Sequence, residues 1–142
     1  MSLTAIKPWF RARFDALRFK EHVDVFNIDN VGELDLDHTY HIAINRVDGG
    51  PINQLDQKTS TDVSVHVFFK GGRNASEALD FCVYEVEQII KECCNIKSRT
   101  SDGILNVVFQ RAEIQPRGLD NDSSILVTID FTVMVLIGVE EN

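Results

Sequence analysis

Few residues in this chain stand at spacings that could do chemistry. The four histidines, His22, His38, His41 and His66, lack the spacing of a metal site. His38 and His41 flank a strand start, and His66 falls on the polar side of another strand. Gly71-Gly72 precedes a helix start and could offer free backbone N–H groups to an anion. Neither a P-loop nor a G-x-G-x-x-G pattern accompanies it, so a plain turn is the favoured reading. The acidic pairs Asp35/Asp37 and Asp120/Asp122 do not match a calcium loop. Cys93-Cys94 lacks a basic neighbourhood apart from Lys91 and Lys97, which favours core thiols. Asn74-Ala75-Ser76 and Asn121-Asp122-Ser123 fit the glycosylation pattern only formally, without a secretory signal. No Ser/His/Asp or Cys/His set stands out, so the residues make no positive case for an enzyme, a cofactor or a metal. A small ligand-binding α+β domain would instead gather polar groups near Gly71-Gly72, with His66 as its acid or base.

The stretch from Thr61 to Asn95 organises the elements that would position such groups. Thr61, Val63, Val65, Val67 and Phe69 point one way and Asp62, Ser64 and His66 the other, the period of a half-buried strand. Lys70-Gly71-Gly72 breaks that strand, and Asn74 with Glu77 resembles a capping box. Ala75, Ala78, Leu79, Cys82, Val83, Val86, Ile89, Ile90 and Cys93 then recur at helical spacing, predicting a stripe that rests on a sheet.

Leu3 to Lys20 reads as a helix capped by Thr4, with Pro8 near its start and Phe10, Phe14 and Leu17 as a stripe. His22 to Asn27 is a short strand candidate, Asp29 to Asp37 an acidic loop or weak edge, and Thr39 to Val47 a strand. Asp48 to Ser60 has the glycines, proline and polar residues of an exposed, mobile connection. Ile104 to Arg111 is a strand and Gln115 to Ser124 a turn region. From Ile125 to Ile137 every odd position is apolar, which predicts a long final strand. The order of elements and the one-sided alternation predict a single domain over residues 1–142. Its fold class is α+β: a mainly antiparallel twisted sheet with two helices packed on one face.

The chain has a net charge of −8, unevenly spread. Lys7, Arg11, Arg13, Arg18 and Lys20 against Asp15 leave residues 1–20 at +4, so the remainder carries −12. An acidic body argues against a general grip on nucleic acid. The basic first helix could solvate a surface or dock on an acidic neighbour, a second copy of the chain included. No apolar run is long enough to span a membrane. Three cysteines on one helix, two of them adjacent, suggest reduced thiols in an intracellular product.

The layout resembles the tail terminator (tail completion) proteins of long-tailed bacteriophages, the family of the lambda minor tail protein U. The resemblance covers most of the chain. It runs through the opening helix to Leu17-Arg18-Phe19-Lys20, the segment VDVFN, the strand Tyr40 to Val47 and a long polar loop. It continues with TDVSVHVFF, a helix with Glu77 to Asp80 at its start, the acidic turn DNDSS and the strand ILVTIDFTVMV. Leu136 to Asn142 and the cysteine-rich helix end depart from the pattern. The resemblance implies a virion protein rather than an enzyme. It would form a hexameric ring on the last ring of the tail tube, stop tube polymerisation and present the surface that joins the head connector. The implied partners are further copies of the chain, the tail tube protein and a connector or neck protein. DNA would pass through the lumen without specific binding, and the protein would reside in the virion after assembly in host cytoplasm. A tube or neck subunit is the nearest alternative. On this reading Trp9, Arg11, Arg13 and Arg18 are expected at a subunit contact. Gln54 and Leu55 would reach toward the tube, and Asp29, Glu33, Asp35 and Asp37 would face the lumen or the opposite ring face.

Overall fold

Two strands of strictly alternating apolar residues build the centre of the molecule. The computed structural model describes residues 3–21, 38–52, 56–70, 75–95, 104–117 and 124–138. Within these, β3 (Asp56–Lys70) and β5 (Ser124–Gly138) run antiparallel from Asp56↔Gly138 to Lys70↔Ser124 without a bulge. Val63, Val65, Val67 and Phe69 of β3 and Ile125, Val127, Ile129, Phe131, Val133 and Val135 of β5 are all buried on one face. β2 (Thr39–Ile52) pairs with the outer side of β3, and β4 (Ile104–Arg117) with the outer side of β5. The two-residue β1 (Lys20–Glu21) lies parallel to the start of β2, giving the order β1-β2-β3-β5-β4. The fold is α+β: two helices and a five-stranded, mostly antiparallel sheet.

Both helices contribute to one core on the apolar face. α1 (Ile6–Ala16) follows a 3-10 turn at Leu3–Ala5 and buries Ile6, Trp9, Phe10 and Phe14. α2 (Ala75–Cys93) buries Cys82, Val86, Ile89 and Cys93. Phe14 stacks on Tyr40 of β2 at 4.4 Å, and Phe10 meets Phe131 of β5 at 5.4 Å. Each large apolar side chain removed from water in this way contributes about 1.5–3 kcal/mol.

α1 ends where its backbone says it must. Phe19 N–H donates to Phe14 C=O and Arg18 N–H to Asp15 C=O, with Arg18 at φ 67°, the pattern of a Schellman cap. Phe14 and Phe19 make the apolar contact that accompanies such a cap, their rings 5.6 Å apart and nearly perpendicular. The helix expected over Leu3 to Lys20 is therefore shorter. Its N-cap is Ala5, with no side-chain cap hydrogen bond, so the cap expected from Thr4 is not formed there.

Other expectations change more. Asp48 to Ser60 is not a long connection. Its flanks are paired strand, with Asp48↔Ser60, Gly49↔Thr59 and Ile52↔Gln57, which leaves 53–55 outside the described residues. β5 lies along the other side of Asp56–Ser60 and completes its ladder, which polar composition could not reveal. The glycines and proline sit in β2, the outer strand of that pair, where such residues are tolerated, at a register shift between Gly49 and Ile52. Gln115–Arg117, expected in a turn, belongs to β4 and pairs with Ser124–Leu126. Val83 is exposed, not part of the buried stripe of α2. The strand candidate His22 to Asn27 and Asn74 of the capping pair lie outside the described residues.

The cap and the aromatic stack set two expectations, both measurable by urea unfolding followed through Trp9 fluorescence. Phe14→Ala should cost about 3–5 kcal/mol. Arg18→Gly should leave stability unchanged or raise it by up to about 1 kcal/mol, because glycine takes a positive φ without a Cβ penalty.

Candidate functional site

The face of the sheet turned away from the helices carries a hydrogen-bonded ladder of polar side chains. Asn45 Nδ2 donates to Ser64 Oγ (2.6 Å), and Ser64 Oγ donates to Asp130 Oδ1 (2.6 Å). Arg111 Nε donates to Asp130 Oδ2 at 2.8 Å from the far edge strand. One level on, Gln110 Nε2 donates to Thr132 Oγ1 (3.2 Å), and Thr132 Oγ1 donates to Asp62 Oδ1 (3.3 Å). One level back, His41 and His66 stand directly opposite each other, and His66 Nδ1 lies 3.1 Å from Thr128 Oγ1.

Two bulges aim these groups. The register shifts between Ile44 and Arg46 in β2 and between Phe109 and Arg111 in β4. Ile44 pairs with Val63, Val63 with Phe131 and Phe131 with Phe109, so both bulges flank one row of the sheet. Their extra residues are Asn45 and Gln110, and each donates to the neighbouring central strand. An extra residue re-aims side chains and bends a strand. The result is an open groove of about 850 Å³ lined by Asn45, Arg46, Asp62, Ser64, Arg111 and Asp130, among others.

The electrostatics of the groove hold the ladder in place. Burial alone would raise the Asp130 carboxyl, but hydrogen bonds from Ser64 and Arg111, with the charges of Arg111 and His66, bring it below its ordinary value. A carboxylate so held is a poor base, and Ser64 Oγ has no imidazole within its ladder to take its proton. Of the two imidazoles on this face, His66 is engaged by Thr128. Burial first, then the neighbouring His41, lowers His66 below its ordinary value, while Asp130 opposes that shift.

The residues expected from sequence fall elsewhere. Trp9 is 2% exposed, because its ring packs in the core against Phe10, so a partner cannot reach it as a surface contact. This corrects its assignment to a subunit interface. Arg11 is held by both carboxylate oxygens of Glu21, which ties α1 to β1. Arg13 lies over the Trp9 ring at 5.3 Å and 3.9 Å from Glu92 of α2. Arg18 is exposed on the helix cap. Gln54, Leu55, Asp29, Glu33, Asp35 and Asp37 lie outside the described residues, as do Gly71 and Gly72. Cys82 and Cys93 are buried and in no disulfide. Burial pushes the Cys93 thiol far up, so it is not a ready nucleophile.

The bulges left a trace in the sequence. In β2 the apolar residues in line with the buried row of β3 step by two through Tyr40, Ile42 and Ile44, then by three to Val47. In β4 they step by three from Ile104 to Val107, by two to Phe109, then by three to Ala112. A slip from two to three in an alternating strand is the signal that an extra residue has been inserted. Compared with known proteins, the chain matches no family model and no curated sequence. Among the described residues no helix is long and apolar enough to cross a membrane.

The lowered His66 sets a pH dependence. The unfolded chain binds a proton near pH 6.5 that the folded chain resists, so stability is full above about pH 6.5 and declines as pH falls below it. His41 from β2 and Asp130 from β5 are the charged groups that shape this titration. Urea unfolding free energies measured between about pH 7.5 and 5 should fall with pH, and His66→Gln should flatten that slope.

Proposed function

We propose that the chain is a structural subunit that assembles with copies of itself through its sheet edges. Within that class, the residue pattern favours a bacteriophage tail terminator. The carrying observation is that, among the described residues, the sheet is open at both ends. Beyond Tyr40, β2 has no described neighbour on its outer side, and β4 has none along its whole length from Ile104 to Arg117. Long unpaired edges are templates for another strand, and soluble proteins ordinarily blunt them. Here the two edges are of similar length and carry exposed apolar side chains, Ile44 at 37% and Val47 on β2 and Val108 at 40% on β4. Joining β4 of one copy to β2 of the next is a head-to-tail contact, which closes into a ring when the rotation per subunit divides a full turn.

On this reading the ring caps the tail tube, ends its polymerisation and offers the head connector a surface, with the acidic body discouraging DNA from sticking in the lumen. A tube or neck subunit would use the same edges. A ligand-binding domain is the second reading, and the groove over Ser64 and Asp130 is the observation in its favour. No catalytic role is assigned to any residue.

Light scattering across a concentration range, with negative-stain images of the same sample, separates these readings. Rings of about six copies are expected, formed alone or on added tail tube, and Ile44→Lys or Val108→Lys should return them to folded monomers. A chain that stays monomeric with and without tube, and whose edge variants behave as wild type, would overturn the assembly reading.

A further inference from the structure

The cross-strand histidine pair lies on the polar face of the sheet, beside the ladder around Ser64 and Asp130. We infer that His41 and His66 form a two-nitrogen binding site for a late first-row divalent metal, taking copper(II) most tightly. The two residues pair directly across β2 and β3, and their rings are 6.3 Å apart at 14° to each other. A metal takes one in-plane nitrogen of each ring at about 2.0–2.1 Å. The rings stand side by side on neighbouring strands, so rotation of both about their side-chain torsions brings one nitrogen of each to a shared ion. Thr128 sits where an orienting partner is wanted. In the tautomer whose Nδ1–H donates to the Thr128 hydroxyl, the lone pair of His66 is on Nε2.

Water would fill the other positions of the ion. Among the described residues no group of three or more His, Cys, Asp or Glu side chains is placed to hold an ion. Asp130 is taken up by Ser64 and Arg111, and Glu113 faces Thr128 from β4, beyond reach of the pair. Two imidazoles with open positions suit copper and nickel better than a closed structural zinc site, and the order of affinities puts copper first. Sequence spacing concealed the pair, because its members lie on different strands and meet only through the hairpin register.

The test is a titration of copper(II) into the full chain at neutral pH, read by electron paramagnetic resonance. One equivalent with coupling to two imidazole nitrogens is expected. His41→Gln and His66→Gln should each weaken binding at least about tenfold, and the double variant should lose the two-nitrogen signal. Circular dichroism checks that each variant folds. Independently of any variant, paramagnetic broadening in wild-type NMR spectra should fall on the His41 and His66 ring protons. Absence of stoichiometric binding, a two-nitrogen signal that survives in the double variant, or broadening centred on His22 or His38 would overturn the proposal.

Discussion

The uninterrupted pairing of β3 with β5 is the constraint on which the rest of the molecule depends. It brings the two most regular alternating segments side by side, so that every inward residue of one meets an inward residue of the other. A slip of one residue would turn both apolar rows to solvent and both polar rows into the core, so burial fixes the register strongly. The helices follow from this. Phe10 and Phe14 of α1, and Cys82, Val86 and Ile89 of α2, need an apolar surface, and the β3–β5 pair with its flanking strands supplies it.

The same pairing arranges the opposite face. Because Ser64 must stand opposite Asp130, and Asp62 opposite Thr132, the polar ladder exists only in this register. The edge strands then bulge around it and turn Asn45, Gln110 and Arg111 toward the centre. Ser64 is buried and Asp130 half-buried, so leaving them unpaired would be costly, and the ladder satisfies both. The face is thus held rigid by hydrogen bonds, while the apolar face is held by packing.

Much of this could be read from residue pattern alone. The strands centred on Val65 and Ile129 and the buried stripe of α2 follow from spacing, and one-sided alternation pointed to helices on a single face. What escaped was set by long-range pairing. Asp48 to Ser60 has the composition of a loop, yet β5 extends past Val135 and completes the ladder of Asp56–Ser60. Trp9 lies among basic residues, yet helix geometry turns it inward beside Phe10 while Arg11 and Arg13 find carboxylates on β1 and α2. Val83 sits on the margin of the α2 stripe, where it remains exposed. The groove joins residues from four strands, and only the phase slips at Val47, Val107 and Ala112 hint at it. His41 and His66 are far apart in the chain and adjacent only because β2 folds back on β3.

The central claim is that the open outer sides of β2 and β4 join one copy to the next. Amide hydrogen exchange resolved by residue tests it most directly, comparing the dilute chain with the assembled form. New protection is expected on alternate amides along His41–Ile52 and Ile104–Arg117, with the β3–β5 pair already protected in both states. Protection that appears instead on α2 around Phe81 and Tyr84, with both edges still exchanging freely, would contradict the account.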